Sequence, residues 1–277
     1  MKVILAKSAG FCFGVDRAVN KAMDAAKAYG SPIYTYGELI HNRTVVEELE
    51  NMGVFVTDDI DSVSEGTIII RSHGVGKDVF EKISEKGLTL VDATCPKVKS
   101  VQNKVEKYHN MGYNIVIVGD CTHPEVIGVN GWCENSASII DDPVKAKMYT
   151  SEKPVCIVAQ TTIIKDMFDE VSSEILKNYS DSIVFNTICL ATRDRQSEAE
   201  ELAKVCDAMI VIGGKNSSNT KKLADLCSIH TDRVYLIESA DDINKEVFCD
   251  DDTVGITAGA STPSQVISEV LGLWTTQ

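Results

Sequence analysis

The stretch Leu88-Thr89-Leu90-Val91-Asp92-Ala93-Thr94-Cys95-Pro96-Lys97-Val98 decides the fold. A short extended run, Leu88 to Val91, leads through a turn to a cysteine. A helical pattern follows, with apolar residues at Val98, Val101, Val105 and Tyr108, and Pro96 suits a first helical turn. The same grammar of strand, cysteine and helix occurs twice more. Lys2 to Ala6 reads as a strand and Gly10-Phe11-Cys12-Phe13-Gly14 as a turn. Val15, Ala18, Val19, Ala22, Met23 and Ala26 then mark a helix face. Ser182 to Thr187 delivers Ile188-Cys189-Leu190-Ala191-Thr192, with Thr192 the expected N-cap and Ala199, Leu202 and Val205 at helical spacing.

A thiolate at a helix N-terminus is favoured by free N–H groups and the positive end of the dipole. Three such thiolates can converge on one metal centre. The intervals support a repeat, because Cys12 to His41, Cys95 to His123 and Cys189 to Ser217 are nearly equal. A second polar turn follows each first one, at His73, Thr161 and Ser261. Each turn is reached from an apolar run suited to a buried parallel strand, such as Thr67-Ile68-Ile69-Ile70, Asn114-Ile115-Val116-Ile117-Val118 and Ala208-Met209-Ile210-Val211-Ile212. The expected class is therefore α/β, with three similar lobes in a pseudo-threefold arrangement around a common centre. Lobe 1 spans residues 1–96 with Cys12, His41 and His73. Lobe 2 spans 97–188 with His123, Glu125 and Thr161. Lobe 3 spans 189–277 with Cys189, Ser217, Ser218, Asn219 and Ser261.

The chain has 277 residues, with 27 Lys and Arg against 41 Asp and Glu, a net charge of −14. That excludes a generic nucleic-acid or anionic-membrane surface, though not an anionic small molecule met by a local pocket of donors. Nine cysteines, an odd number scattered without a secreted-scaffold pattern, point to a reducing cytoplasm where cysteine binds metal or reacts. The N-terminal apolar run is too short for a signal peptide, and no run approaches the ~18 apolar residues of a membrane span.

Every polar turn falls at the end of a strand or just before a helix, where α/β sheets bind ligands and anions. His41, His73 and His123 are three of only five histidines; His109 and His230 fall at helix ends and receive no role. Histidine, serine, asparagine and backbone N–H are compact donors that suit a phosphate or diphosphate. Ser217-Ser218-Asn219 after Gly213-Gly214 reads equally as a phosphate cradle or a capping turn. Glu125 is the one carboxylate in the set, a general acid in a closed pocket or a first-turn residue complementing the helix dipole. Structural zinc prefers paired ligands at short spacing, absent here, whereas three widely separated cysteines suit an iron–sulfur cluster between lobes. Three thiolates on a four-iron cluster leave one iron open; Cys121, two residues before His123, would close that position if it ligated. An iron–sulfur sensor without enzymatic activity and a zinc phosphoesterase use the same residue types, so both stand as alternatives at this level.

These residues together resemble the 4-hydroxy-3-methylbut-2-enyl diphosphate reductases, the last enzymes of the non-mevalonate isoprenoid pathway. The resemblance covers essentially the whole chain. It is carried by Ala9-Gly10-Phe11-Cys12-Phe13-Gly14-Val15, Ile40-His41-Asn42, Arg71-Ser72-His73-Gly74, Asp92-Ala93-Thr94-Cys95-Pro96 and His123-Pro124-Glu125. Gln160-Thr161-Thr162, Ile188-Cys189-Leu190-Ala191-Thr192, Ser217-Ser218-Asn219-Thr220 and Gly259-Ala260-Ser261-Thr262-Pro263 complete it. It implies one [4Fe–4S] cluster per chain on Cys12, Cys95 and Cys189, with one open iron for the substrate hydroxyl. It implies diphosphate binding by His41, His73, His123, Ser217, Ser218, Asn219 and Ser261, proton delivery by Glu125, and a hydroxyl oriented by Thr161, with Thr162 beside it. It further implies a ferredoxin- or flavodoxin-type electron donor and a cytoplasmic oxidoreductase.

Overall fold

Apolar runs flanked by turns become strands here because both faces of each sheet are covered. A computed structural model of the chain describes residues 1–275. The first elements are β1 (Lys2–Leu5), α1 (Phe13–Ala28), β2 (Ile33–Tyr36), α2 (Arg43–Asn51), β3 (Val54–Thr57), β4 (Thr67–Ile70), α3 (Lys77–Glu85) and β5 (Thr89–Asp92). Next come α4 (Pro96–Asn110), β6 (Asn114–Val118), α5 (Pro124–Asn130), β7 (Ser138–Ile140), α6 (Pro143–Lys147), β8 (Val155–Ala159), α7 (Lys165–Leu176) and β9 (Ile183–Phe185). The last are α8 (Leu190–Ala203), β10 (Ala208–Ile212), α9 (Ser218–Ser228), β11 (Val234–Ile237), β12 (Thr253–Ala258) and α10 (Ser264–Thr275).

The strands form three four-stranded parallel sheets, ordered β3-β2-β4-β5, β7-β6-β8-β9 and β1-β12-β10-β11. The α/β class with three similar lobes is thus observed. Alternation along a strand decides which helices each residue meets. In β6, Ile115 and Ile117 pack with Val98, Val101 and Val105 of α4 and with Val126 and Val129 of α5. Val116 and Val118 point the other way, to Phe168, Val171 and Ile175 of α7. β10 repeats this, with Met209 and Val211 against α8 and α9 and Ile210 and Ile212 against α10. Each such fully buried side chain stabilises the fold by about 1.5–3 kcal/mol.

One strand departs from the expected lobes. β1 does not join the other strands of 1–96; it pairs with β12, from Lys2 opposite Thr253 to Leu5 opposite Ile256. The reason lies in the repeat. Each sheet has the spatial order second, first, third, fourth, counted along its own strands, and the third sheet supplies only β10, β11 and β12 from its own stretch. The open edge of β12 is filled by β1. Every sheet's fourth strand then runs into a cysteine: β5 into Cys95, β9 into Cys189 and β1 into Cys12.

Some local expectations shift. α8 begins at Leu190, so Thr192 is a buried first-turn residue instead of the N-cap, and Val205 lies beyond the helix and is exposed. β3 and β7, short outer strands, and the five-residue α6 are too short to show a periodicity in sequence. The described residues divide into two compact units: one holds Met1–Val15, His41–Val45 and the chain from Leu190, the other Asp16–Ile40 and Val46–Cys189. Among them, no helix is long and apolar enough to cross a membrane.

Candidate functional site

In a parallel sheet of this order, the loops after the first and third strands diverge, which opens a crevice for ligands at the strand ends. The predicted residues occupy those loops. The chain leaving β2 leads to His41, that leaving β6 to His123, and that leaving β10 to Ser217, Ser218 and Asn219. The third strands lead to His73, Thr161 and Ser261.

A backbone bond ties each cysteine to the turn after its third strand. The N–H of Cys95 donates to the Ser72 carbonyl (2.9 Å), that of Cys189 to the Thr161 carbonyl (3.0 Å), and that of Cys12 to the Ala260 carbonyl (3.1 Å). In all three cases the acceptor lies two residues past the strand end, at Ile70, Ala159 and Ala258. So each sheet fixes one thiol beside one polar turn by the same bond. Cys95 is also the residue preceding α4, with Pro96 in its first turn. The turn ahead of it is held by Asp92, which accepts from the Thr94 N–H (3.0 Å) and pairs with Lys99. Burial alone would raise the Asp92 carboxyl, but Lys99 and the Thr94 contacts outweigh it and hold it below the usual range.

Within the larger unit, Glu125 and Thr161 form a closed pair. Glu125 is only 3% exposed. Its Oε1 accepts the Thr161 N–H and its Oε2 the Thr161 hydroxyl, both at 2.6 Å. His123 caps α5, its Nδ1 accepting the Glu125 N–H at 3.1 Å. Because Nδ1 accepts, the neutral ring carries its proton on Nε2. The His73 ring stands edge-on to the His123 ring, centroids 5.5 Å apart. Thr162 accepts from the Gln160 amide (3.0 Å), so it braces this turn.

Close backbone packing sets that histidine pair. A Cβ on Gly128 of α5 would lie 2.9 Å from the Gly74 carbonyl oxygen, and one on Gly131 would lie 2.5 Å from the Gly76 Cα. The Val75 carbonyl in between accepts from the Trp132 indole (2.9 Å) and the Gln102 amide (3.3 Å). Glycine is required here for close approach.

In the smaller unit, Ser217 caps α9 by accepting the Thr220 N–H (3.3 Å), and Ser261 donates to the His41 carbonyl (3.3 Å). The backbone at Gly214 also abuts His41, where a Cβ would come within 2.7 Å of its carbonyl oxygen. Asn219 is 4% exposed, and neither its amide nitrogen nor its oxygen has a hydrogen-bond partner among the described residues. A buried amide left unsatisfied is destabilising, so its presence fits a bound polar group.

The other cysteines show which thiols can ligate metal. Cys133, Cys156, Cys206 and Cys227 are buried, and burial pushes their thiols up, to about 12 for Cys156 and Cys227. They stay protonated core residues. Cys121 and Cys249 are exposed. Cys12, Cys95 and Cys189 are the half-buried set, so the residues present fit a thiolate-ligated group.

Sequence reasoning missed Arg195 and Glu198 of α8. Arg195 is 4% exposed and donates to the Gly10 carbonyl, while Glu198 accepts the N–H groups of Lys7 and Ser8. The signal was an arginine at helical spacing among the buried Thr192, Gln196 and Ala199. His109 lies 3.8 Å from Glu134 and His230 3.3 Å from Glu200.

Comparison with known proteins adds a family. Residues 3–273 match the family model described as LytB protein. The chain is 47% identical over 273 residues to a 4-hydroxy-3-methylbut-2-enyl diphosphate reductase of Alkaliphilus oremlandii (strain OhILAs), covering 98% of each. It is 47% identical over 274 residues to that of Clostridium perfringens (strain 13 / Type A), covering 97% of this chain and 96% of the relative. Among solved structures, the E-1-hydroxy-2-methyl-but-2-enyl-4-diphosphate reductase of Plasmodium falciparum is similar with a TM-score of 0.95 at 28% identity, covering 99% of this chain and 88% of that one. An (E)-4-hydroxy-3-methyl-but-2-enyl diphosphate reductase structure is similar with a TM-score of 0.71 at 41% identity, covering 98% of both chains. A match over nearly the whole length, joined to three cysteine-bearing sheets of one design, means that the chain belongs to the LytB protein family.

Proposed function

We propose that the chain is a 4-hydroxy-3-methylbut-2-enyl diphosphate reductase, an oxidoreductase of the non-mevalonate isoprenoid pathway. It removes the substrate hydroxyl with two electrons and two protons, giving isopentenyl diphosphate or dimethylallyl diphosphate and water. The observation that carries this reading is the threefold tether of a half-buried cysteine to a turn bearing His73, Thr161 or Ser261. Cys12, Cys95 and Cys189 would hold a [4Fe–4S] cluster, which when bound supplies electrons and, at an iron without a protein ligand, Lewis acidity toward the hydroxyl.

The protein's own groups do the rest. His41, His73, His123, Ser217, Ser218, Asn219 and Ser261 hold the diphosphate, with the unsatisfied Asn219 amide completed by a phosphate oxygen. Anchoring the diphosphate fixes where the hydroxyl can reach. Thr161 orients that hydroxyl; protonated on Oε2, Glu125 donates to the Thr161 hydroxyl, reversing the 2.6 Å bond between them, and Thr161 passes on the proton that leaves with the substrate hydroxyl. The second proton goes to carbon, and addition at one or other end of the three-carbon allylic unit gives the two products.

Electrons come from a ferredoxin- or flavodoxin-type carrier, itself acidic. α4, which starts directly after Cys95, carries Lys97, Lys99, Lys104 and Lys107 against Glu106 alone. In a chain of net charge −14 the face shared by Lys97, Lys104 and Lys107 suits such a carrier. The three sheets with their helices act as three lobes of one cytoplasmic enzyme.

The test is anaerobic purification with iron and sulfide analysis and a reductase assay. Wild-type protein should contain about four irons per chain if the [4Fe–4S] reading holds. Cys12→Ser, Cys95→Ser and Cys189→Ser should each lose most iron and turnover. A variant keeping both removes that residue from the ligand set, and a colourless, oxygen-tolerant, active wild type removes the cluster.

A further inference from the structure

The three candidate ligands do not reach their positions by equal paths. Cys95 follows the end of β5 after Ala93 and Thr94 alone, and Cys189 follows β9 after Asn186, Thr187 and Ile188. Cys12 stands at the end of a longer loop, Ala6 to Phe11. A longer loop has more conformations to restrain before its thiol is fixed.

That loop is gripped at both ends by α8. Glu198 accepts the Lys7 N–H (2.6 Å) and the Ser8 N–H (2.8 Å), and its Oε2 also accepts the Ser8 hydroxyl (2.5 Å). Three residues earlier on the same helix, Arg195 donates from Nη2 to the Gly10 carbonyl (2.5 Å) and from Nη1 to the Ala191 carbonyl (3.2 Å). Gly10 precedes Cys12 by two residues, and Ala191 follows Cys189 by two. Gly10 has φ +104°, and a Cβ there would meet Ile267 Cδ1 at 3.3 Å, so the turn requires glycine at that point and leaves its hold to the side chains around it.

A guanidinium buried to 4% exposure is expensive to desolvate, and an apolar residue would fill the space at lower cost in stability. What the guanidinium supplies and an apolar residue does not is a rigid fork serving two carbonyls at once. We propose that Arg195 and Glu198 are positioning residues for Cys12, locking its loop, and the backbone just past Cys189, so that the Cys12 thiolate stays seated in the metal centre. This rests on the reading that Cys12 is a cluster ligand. Releasing one charged hydrogen bond opens the loop more often, by about ten- to a hundredfold, and iron escapes through that open state.

The experiment uses the anaerobically purified holoprotein with excess ferrous chelator, following iron loss by absorbance and, separately, thermal unfolding of the apoprotein. Arg195→Met and Arg195→Lys should lose iron about ten- to a hundredfold faster than wild type, since lysine keeps the charge but lacks the fork. Glu198→Gln should also accelerate loss, and it carries the test if the arginine variants do not fold. Arg233→Met, which breaks the ion pair with Asp252 in the same unit, is the stability control and should keep wild-type iron kinetics. Wild-type loss rates in the Arg195 and Glu198 variants overturn the proposal. So do rescue by lysine and loss rates that follow unfolding temperature across all variants, Arg233→Met included. A wild type that binds no iron refutes the ligand reading itself, and the proposal falls with it by a separately visible route.

Discussion

Gly128→Ala tests the geometry of the histidine pair while leaving every candidate residue in place. The added methyl would lie 2.9 Å from the Gly74 carbonyl oxygen, 3.1 Å from its carbon and 3.2 Å from the Val75 Cα. Carbon contacts are comfortable at about 3.5–4.0 Å, so the facing backbone must retreat by roughly half an ångström. It cannot do so freely, because the Val75 carbonyl is pinned by Trp132 and Gln102. His73, next to Gly74, would move away from His123, while Glu125, three residues before Gly128 on the same helix, keeps its bonds to Thr161. Overpacking of this kind costs about 1–3 kcal/mol of stability. Misplacement of a positioning group costs up to about 10²-fold in rate. The expected result is full iron content, a thermal midpoint lowered by a few degrees, and kcat/KM for the diphosphate substrate down by about ten- to a hundredfold. Gly131→Ala, with its closer approach of 2.5 Å, should be worse on both counts. Wild-type kcat/KM in a destabilised but iron-replete Gly128→Ala protein would refute the claim that this glycine seam places His73.

Glu125→Gln should retain iron and substrate affinity while turnover falls about 10²-fold or more, measured in steady state; an unchanged kcat removes Glu125 as proton donor. Asn219→Ala should leave stability unchanged or slightly raised, because its amide has no partner to lose, yet raise KM about tenfold, readable by substrate titration. Lys97→Glu combined with Lys104→Glu should weaken reduction by an acidic protein carrier about tenfold at low salt, with viologen-driven turnover unchanged; equal loss with both reductants defeats the docking role. Burial alone would lift the Glu198 carboxyl, but the Ser8 hydroxyl and the N–H groups of Lys7 and Ser8 outweigh it and hold it below the ordinary value near about 4.3. Its stabilisation is therefore complete above that value and is lost as pH falls through the lower folded-state one. Apoprotein melting between about pH 6 and about pH 3 should show a shallower acid-side loss for Glu198→Gln than for wild type.

Much of this arrangement was legible in sequence because it repeats. The strands that are buried on both faces, β4, β8 and β10, are uninterrupted apolar runs, and the polar turns follow them at once. The membership of β1 was not legible. A four-residue strand carries no mark of its partner, and only the shortage of a fourth strand in the last sheet assigns it there. The outer strands β3 and β7 are short and half-exposed, so periodicity has little to act on. Among site residues, chemistry-bearing types at strand ends were readable, whereas Arg195 and Glu198 act through backbone atoms far away in sequence, and their role becomes visible only when the loop is seen in their grip.

The closing of the third sheet by β1 also orders events during synthesis. The strand that leads to Cys12 is made long before β12, the strand it must lie beside. Until β12 is made, that thiol has no fixed seat, while the arms ending in Cys95 and Cys189 can already form. On the proposed ligand set, the third thiol joins the other two only once β12 has been made and has taken β1 as its neighbour.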